Sequence, residues 1–252
     1  MRHARSVTLR AWWDELAGLV LPVACAGCGR DDEPWCADCR RLLDGPAWRC
    51  ETRAGRLDLV GQAPLVPVWT LADFRGPVRE AVVAWKDRGR HDLTRHLAAA
   101  MHAAALDLAP RFGDDVLVVP APSTPAAVRR RGGSLVGELA RAVGDGLCAS
   151  GSRAQPVAAL TRRGGDQVGL GTRARWANVA GQVRVRARAD VARRAVVLVD
   201  DVLTTGATLA SCHAALERAG ASVVGVLTLA STPLPGGRPT ELPGLRALAA
   251  RV

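Results

Sequence analysis

Apolar positions change period several times between residues 64 and 232. Short, nearly continuous apolar runs predict strands at LVPVWTLADF (65–74), DVLVVPAP (115–122), RRAVVLVD (193–200) and ASVVGVLTLA (221–230). Between them the period lengthens. GPVREAVVAWKDRG (76–89) predicts a helix, with Val78, Val82, Val83 and Lys86 at suitable intervals and Gly89 at its end. LTRHLAAAMHAAALDLA (93–109), SLVGELARAVGDGL (134–147) and GATLASCHAALERAG (206–220) predict three more. Strands alternating with helices at this spacing imply an α/β fold, a parallel sheet with helices on both faces. Ligands of such sheets bind beyond the carboxyl ends of the strands. Upstream, Leu9, Trp12, Trp13, Leu16, Leu19 and Val20 recur at helical spacing and predict a short amphipathic helix. Three regions result: an N-terminal helix and cysteine module (1–55), the α/β domain (64–232) and a Pro/Gly-rich tail (233–252).

The most informative stretch is VVLVDDVLTTGAT, Val196 to Thr208. A strand buried on both faces ends in two acids, Asp200 and Asp201. Two adjacent carboxylates are costly unless something uses their lone pairs. The hydroxyls of a sugar diol would do so. Thr204, Thr205, Gly206, Ala207 and Thr208 follow, immediately before a helix. A helix N-terminus presents free N–H groups to an anion, glycine admits close approach, and threonine adds donors. The stretch therefore suits one molecule carrying both a ribose diol and a phosphate. A Walker-type reading needs a G-x-x-x-x-G-K-[ST] partner, which this chain lacks. A plain strand–turn–helix with a threonine cap leaves the acidic pair unexplained.

Four of the seven cysteines form two C-x-x-C knuckles, Cys25/Cys28 and Cys36/Cys39. Two knuckles complete a tetrahedron of thiolates around zinc, with all four positions filled, so the expected Zn²⁺ is structural. A redox dithiol needs only one such pair. The odd cysteine count does not suit a disulfide framework.

Composition adds less. Lysine and arginine exceed acids by 34 to 24, a net charge of +10. This fits either an arginine-rich surface or attraction to polyanions. The first residues resemble a secretion signal, but Asp14 and Glu15 interrupt the apolar run, and no stretch reaches the ~20 residues of a membrane span. A cytoplasmic protein without membrane insertion is expected.

VVLVDDVLTTGAT resembles the phosphoribosyl pyrophosphate (PRPP) motif of type I phosphoribosyltransferases. That likeness implies the type I phosphoribosyltransferase fold, with Asp200 and Asp201 on the ribose hydroxyls, Thr204 to Thr208 on the 5′-phosphate, and Mg²⁺ bound with PRPP. The order of features narrows the resemblance to the ComF family, also called ComF/GntX: cysteine knuckles, FRGPVREAVVAWKDRGR, VVPAPSTPAAVRRRGGSLVGELA, DQVGLGTRARWANVAG, then the PRPP motif. Gln167, Leu170, Arg175 and Asn178 match the family signature Q-x-x-L-x-x-x-x-R-x-x-N. The resemblance implies either phosphoribosyl transfer to an unspecified substrate or a non-enzymatic part in competence, with single-stranded DNA and a DNA-uptake motor protein as partners. The chain departs from the family's R-G-F-N-Q at Arg131-Gly132-Gly133-Ser134-Leu135. Further candidates are Ser123 and Thr124 as a pyrophosphate loop or an ordinary turn, Arg131 beside it, and Gln167 and Arg175 in a Gly/Arg-rich lid. Lys86 resembles a family lysine and reads equally as a solvated helix residue.

Overall fold

The computed structural model of the chain describes residues 23–53, 66–162 and 183–234. In chain order the elements are α1 (Ala37–Arg41), β1 (Trp48–Arg49), β2 (Val68–Asp73), α2 (Gly76–Asp87), α3 (Thr94–Phe112), β3 (Asp115–Pro120), α4 (Pro125–Arg131), α5 (Leu135–Ala149), β4 (Arg153–Pro156), β5 (Leu160–Arg162), β6 (Val183–Val185), β7 (Ala195–Leu203), α6 (Ala207–Arg218) and β8 (Ser222–Ser231). The amphipathic stretch before residue 23, the lid residues Gln167 and Arg175, and the tail from residue 235 lie outside the described residues.

The main sheet runs β1-β2-β8-β7-β3-β4, parallel throughout except for the antiparallel β1. The expected α/β fold with a parallel sheet is borne out. β7 sits between β8 and β3, and Val196 to Val199 are fully buried, because a central parallel strand has apolar neighbours on both faces. One face of the sheet carries α2, α3 and α5 together with the cysteine module, whose Cys25, Trp35, Cys36, Cys39 and Leu43 share that core. The other face carries α6 and the small antiparallel pair β5–β6, packed through Leu209, Cys212, Leu216, Leu160 and Val183.

Three differences from the expected elements matter to the site. β7 runs on to Leu203, past Asp200, because β8 keeps pairing with it through Asp200↔Thr228 and Leu203↔Ser231. α4 is a short helix with no apolar period of its own; Thr124 caps it by accepting from the Ala127 N–H at 3.3 Å. Trp48 and Arg49 add an edge strand whose pairing with β2 no local pattern announced.

Candidate functional site

The parallel strands β2, β8, β7 and β3 all end on one side of the sheet, and the predicted motif lies there. Successive side chains of a strand point to opposite faces. The acidic pair therefore straddles β7. Asp201 lies on the α2 face, only 6% exposed, with its Oδ2 2.8 Å from Lys86 Nζ. Asp200 lies on the α6 face, half-buried, and its Oδ1 accepts from the Asp201 N–H at 2.9 Å. Burial first, then repulsion from Asp201, pushes the Asp200 carboxyl up to about 8, against the pull of Lys86 and Arg162. Cys212, buried on α6, is pushed up by burial and then by the Asp200 charge, which places that thiol on the same face.

Beyond the pair, Thr204 and Thr205 are exposed. Gly206 takes a left-handed conformation (φ 77°) as the first residue of the α6 cap, which a β-branched side chain would resist. Gly206, at the cap position, offers no side chain to this helix, and the Ala207 N–H is met only by a long contact to Thr205 Oγ1 at 3.5 Å, which an anion at the helix start could replace. Ala207 and Thr208 are half-buried in the first turn. The strand end, a positive-φ turn and the start of α6 together form a cradle at the sheet's carboxyl edge.

The other candidates are placed as follows. Ser123 and Thr124 follow β3, the strand beside β7, and the Thr124 hydroxyl is engaged as the α4 cap. Arg131 does not point into the open; its Nε donates to the Lys86 carbonyl at 2.7 Å and its NH2 lies 3.1 Å from Asp87, tying α4 to the end of α2. Gln167 and Arg175 fall outside the described residues. Arg162, at the end of β5, is close enough to favour ionisation of both Asp200 and Cys212. No local pattern in the sequence sets Arg162 apart from Arg163 beside it.

The cysteine cluster is assembled by local hydrogen bonds. Gly29 N–H donates to Cys25 O at 2.9 Å, closing the first knuckle, and Cys36 N–H donates to the Cys25 thiol at 3.3 Å. Cys39 comes from α1. The four Sγ atoms lie within 4.8 Å of one another, with Cys28 and Cys36 at 3.6 Å. A tetrahedron with Zn–S near 2.3 Å has edges of about 3.8 Å, so the donor set and its spacing fit a closed four-thiolate metal site. Burial disfavours ionisation of Cys25, but the N–H groups of Cys28, Cys36 and Gly27 outweigh it and lower the thiol to about 6. The module is docked on α2. A Cβ on Gly27 would stand 2.8 Å from Cys39 Sγ and 3.1 Å from Pro77. Arg90 donates to the carbonyls of Ala24 (3.1 Å) and Pro34 (2.8 Å).

A cavity of about 220 Å³ opens between this module and α3, lined by Trp35, Arg40, His96 and several alanines. None of the acidic pair or the threonine loop borders it.

Residues 126–241 match the phosphoribosyl transferase domain model. The chain is 35% identical over 145 residues to an adenine phosphoribosyltransferase of Rhodococcus opacus, covering 52% of this chain and 76% of that protein. It is 49% identical over 49 residues to the adenine phosphoribosyltransferase of Mycolicibacterium vanbaalenii, and 47% to that of Mycolicibacterium gilvum, spanning only 28% and 27% of their lengths. Among solved structures, hypoxanthine phosphoribosyltransferase from Staphylococcus aureus aligns with a TM-score of 0.33 at 13% identity, over 60% of this chain and 68% of that one. The hypoxanthine-guanine enzyme of L. donovani gives 0.35 at 18%, over 57% and 72%. The chain belongs to the phosphoribosyltransferase domain family. Among the described residues no helix is long and apolar enough to cross a membrane.

Proposed function

We propose that the cradle binds PRPP. In this reading Asp200 and Asp201 accept from the ribose hydroxyls, the Thr204–Thr208 turn and the α6 N-terminus hold the 5′-phosphate, and Mg²⁺ arrives with the pyrophosphate. The observation that carries the proposal is the junction itself: two carboxyl groups on a central parallel strand, then a positive-φ glycine opening a helix N-terminus. The reaction is displacement of pyrophosphate from C1 of the ribose by a nitrogenous base. Positive charge builds on the sugar and negative charge on the leaving group, so fixed dipoles and cations at the sheet edge would supply the stabilisation. The cysteine cluster holds zinc and keeps the module seated on α2, with no open position for chemistry.

The ComF resemblance supports the finer alternative of a competence protein that helps single-stranded DNA uptake beside a motor protein, and the net charge of +10 favours a polyanionic partner. PRPP binding is compatible with both roles. Isothermal titration with PRPP and Mg²⁺, repeated on Gly206→Val, tests the proposal. Saturable binding at one site, abolished by the substitution, is expected. A folded wild-type chain that gives no binding heat with PRPP sinks it.

A further inference from the structure

Lys86 lies on α2, far from the motif in sequence, yet its ammonium reaches Asp201 Oδ2 at 2.8 Å. Its side chain is only 28% exposed, so the pair is shielded from bulk water. Its backbone is held as well: the Lys86 carbonyl accepts from Arg131 Nε at 2.7 Å, and α2 is pressed at its start by Gly27 of the first knuckle against Pro77. The lysine is therefore not a solvated helix residue.

The consequence concerns charge. A sugar phosphate that also carries pyrophosphate brings several negative charges to two adjacent carboxylates. Uncompensated, an ionised acid of this pair would repel it. The protein engages one oxygen of each acid internally, Asp200 Oδ1 with the Asp201 N–H and Asp201 Oδ2 with Lys86. The second oxygen of each is the one a diol would use.

Building on the PRPP reading, we propose that Lys86 is a positioning residue of the ligand site: it fixes the Asp201 carboxylate and supplies the resident counter-charge that lets a polyanionic sugar phosphate approach the acidic pair. It acts through Asp201 and does not need to touch the ligand. Removing the cation should harm a more highly charged ligand more than a less charged one, whereas a merely structural defect would weaken both alike.

The test is titration of wild type, Lys86→Met and Lys86→Arg with PRPP and with ribose 5-phosphate, each without magnesium so that PRPP keeps its full charge, with thermal unfolding to establish that every variant is folded. Lys86→Met should weaken PRPP at least tenfold and ribose 5-phosphate by a smaller factor, and Lys86→Arg should recover most of the loss. If Lys86→Met does not fold, Lys86→Gln reads the same quantity, since it keeps a donor to Asp201 without the charge. A neutral variant that binds PRPP within twofold of wild type, or that loses both ligands equally, overturns the proposal. A wild-type chain that binds neither ligand overturns the PRPP reading along with it, so the two failures are distinguishable.

Discussion

Asp200→Asn removes an ionisable carboxyl and almost nothing else. The amide oxygen can still accept from the Asp201 N–H, and the volume is unchanged. In the folded chain burial, then the neighbouring Asp201, raises the carboxyl from its ordinary 3.8 to about 8. In the unfolded chain it ionises at the ordinary value. Between these two values the folded state holds more protons than the unfolded state, so wild-type stability falls as pH rises. At about 1.4 kcal/mol per unit, the fall accumulated by neutral pH has a ceiling of about 4 kcal/mol. Asp200 keeps partial access to water, which screens part of this, and about 2 kcal/mol is the expected gain for the variant. Urea unfolding of both proteins from about pH 3 to about pH 8 measures it. The curves should meet at the acidic end and diverge as pH rises, the variant being the more stable. At about pH 8 and above, where the folded wild-type carboxyl ionises, PRPP affinity should move the other way and drop about tenfold or more, since a charge-assisted bond is worth roughly 1.5–3 kcal/mol. Parallel pH profiles for the two proteins would refute the reasoning, because they would mean that Asp200 ionises in the folded chain as freely as in the unfolded one. Asp201→Asn should behave differently. It strands Lys86 without its ion-pair partner, so stability should fall instead of rising.

The remaining predictions concern the module and the surface. Protein purified without added metal should carry one zinc per chain by elemental analysis, and a Cys25→Ser, Cys28→Ser double variant should lose it. Gly27→Ala places a methyl 2.8 Å from Cys39 Sγ and 3.1 Å from the Pro77 carbonyl, and should lower both metal content and stability, the latter by about 1–3 kcal/mol in denaturant unfolding. Retention of full zinc and stability would mean the module is not seated against α2 as described. Single-stranded DNA affinity, measured by fluorescence anisotropy, should fall steeply with salt and fall again in an Arg129→Glu, Arg130→Glu variant. Arg131 is spared there because it braces α4 against α2; affinity that ignores salt would remove the electrostatic basis for a DNA partner.

The sequence by itself determined the layers of the fold. Val196 to Val199 are a short run rich in β-branched residues between charged pairs, which suits a strand covered on both faces, and Val78, Val82 and Val83 repeat at a helical interval whatever they pack against. It also gathered the groups of two clusters, because C-x-x-C knuckles and an acid–acid–threonine–glycine junction bring them together within a few residues of chain. Tertiary structure decided what those groups face. Pairing with β8 carried β7 through Leu203, and the pleat then put Asp200 and Asp201 on opposite faces. Lys86 and Arg162 reach the pair from separate elements, α2 and β5, across long sequence separations that no periodicity records. Arg131 reads as one of three like charges in sequence, and only the packing of α4 against α2 makes it a brace. The physical reason is range. Backbone propensity, burial period and knuckle spacing are local and are written in neighbouring residues, whereas the burial and charge that shift a carboxyl's pKa depend on which distant helix and strand close over it.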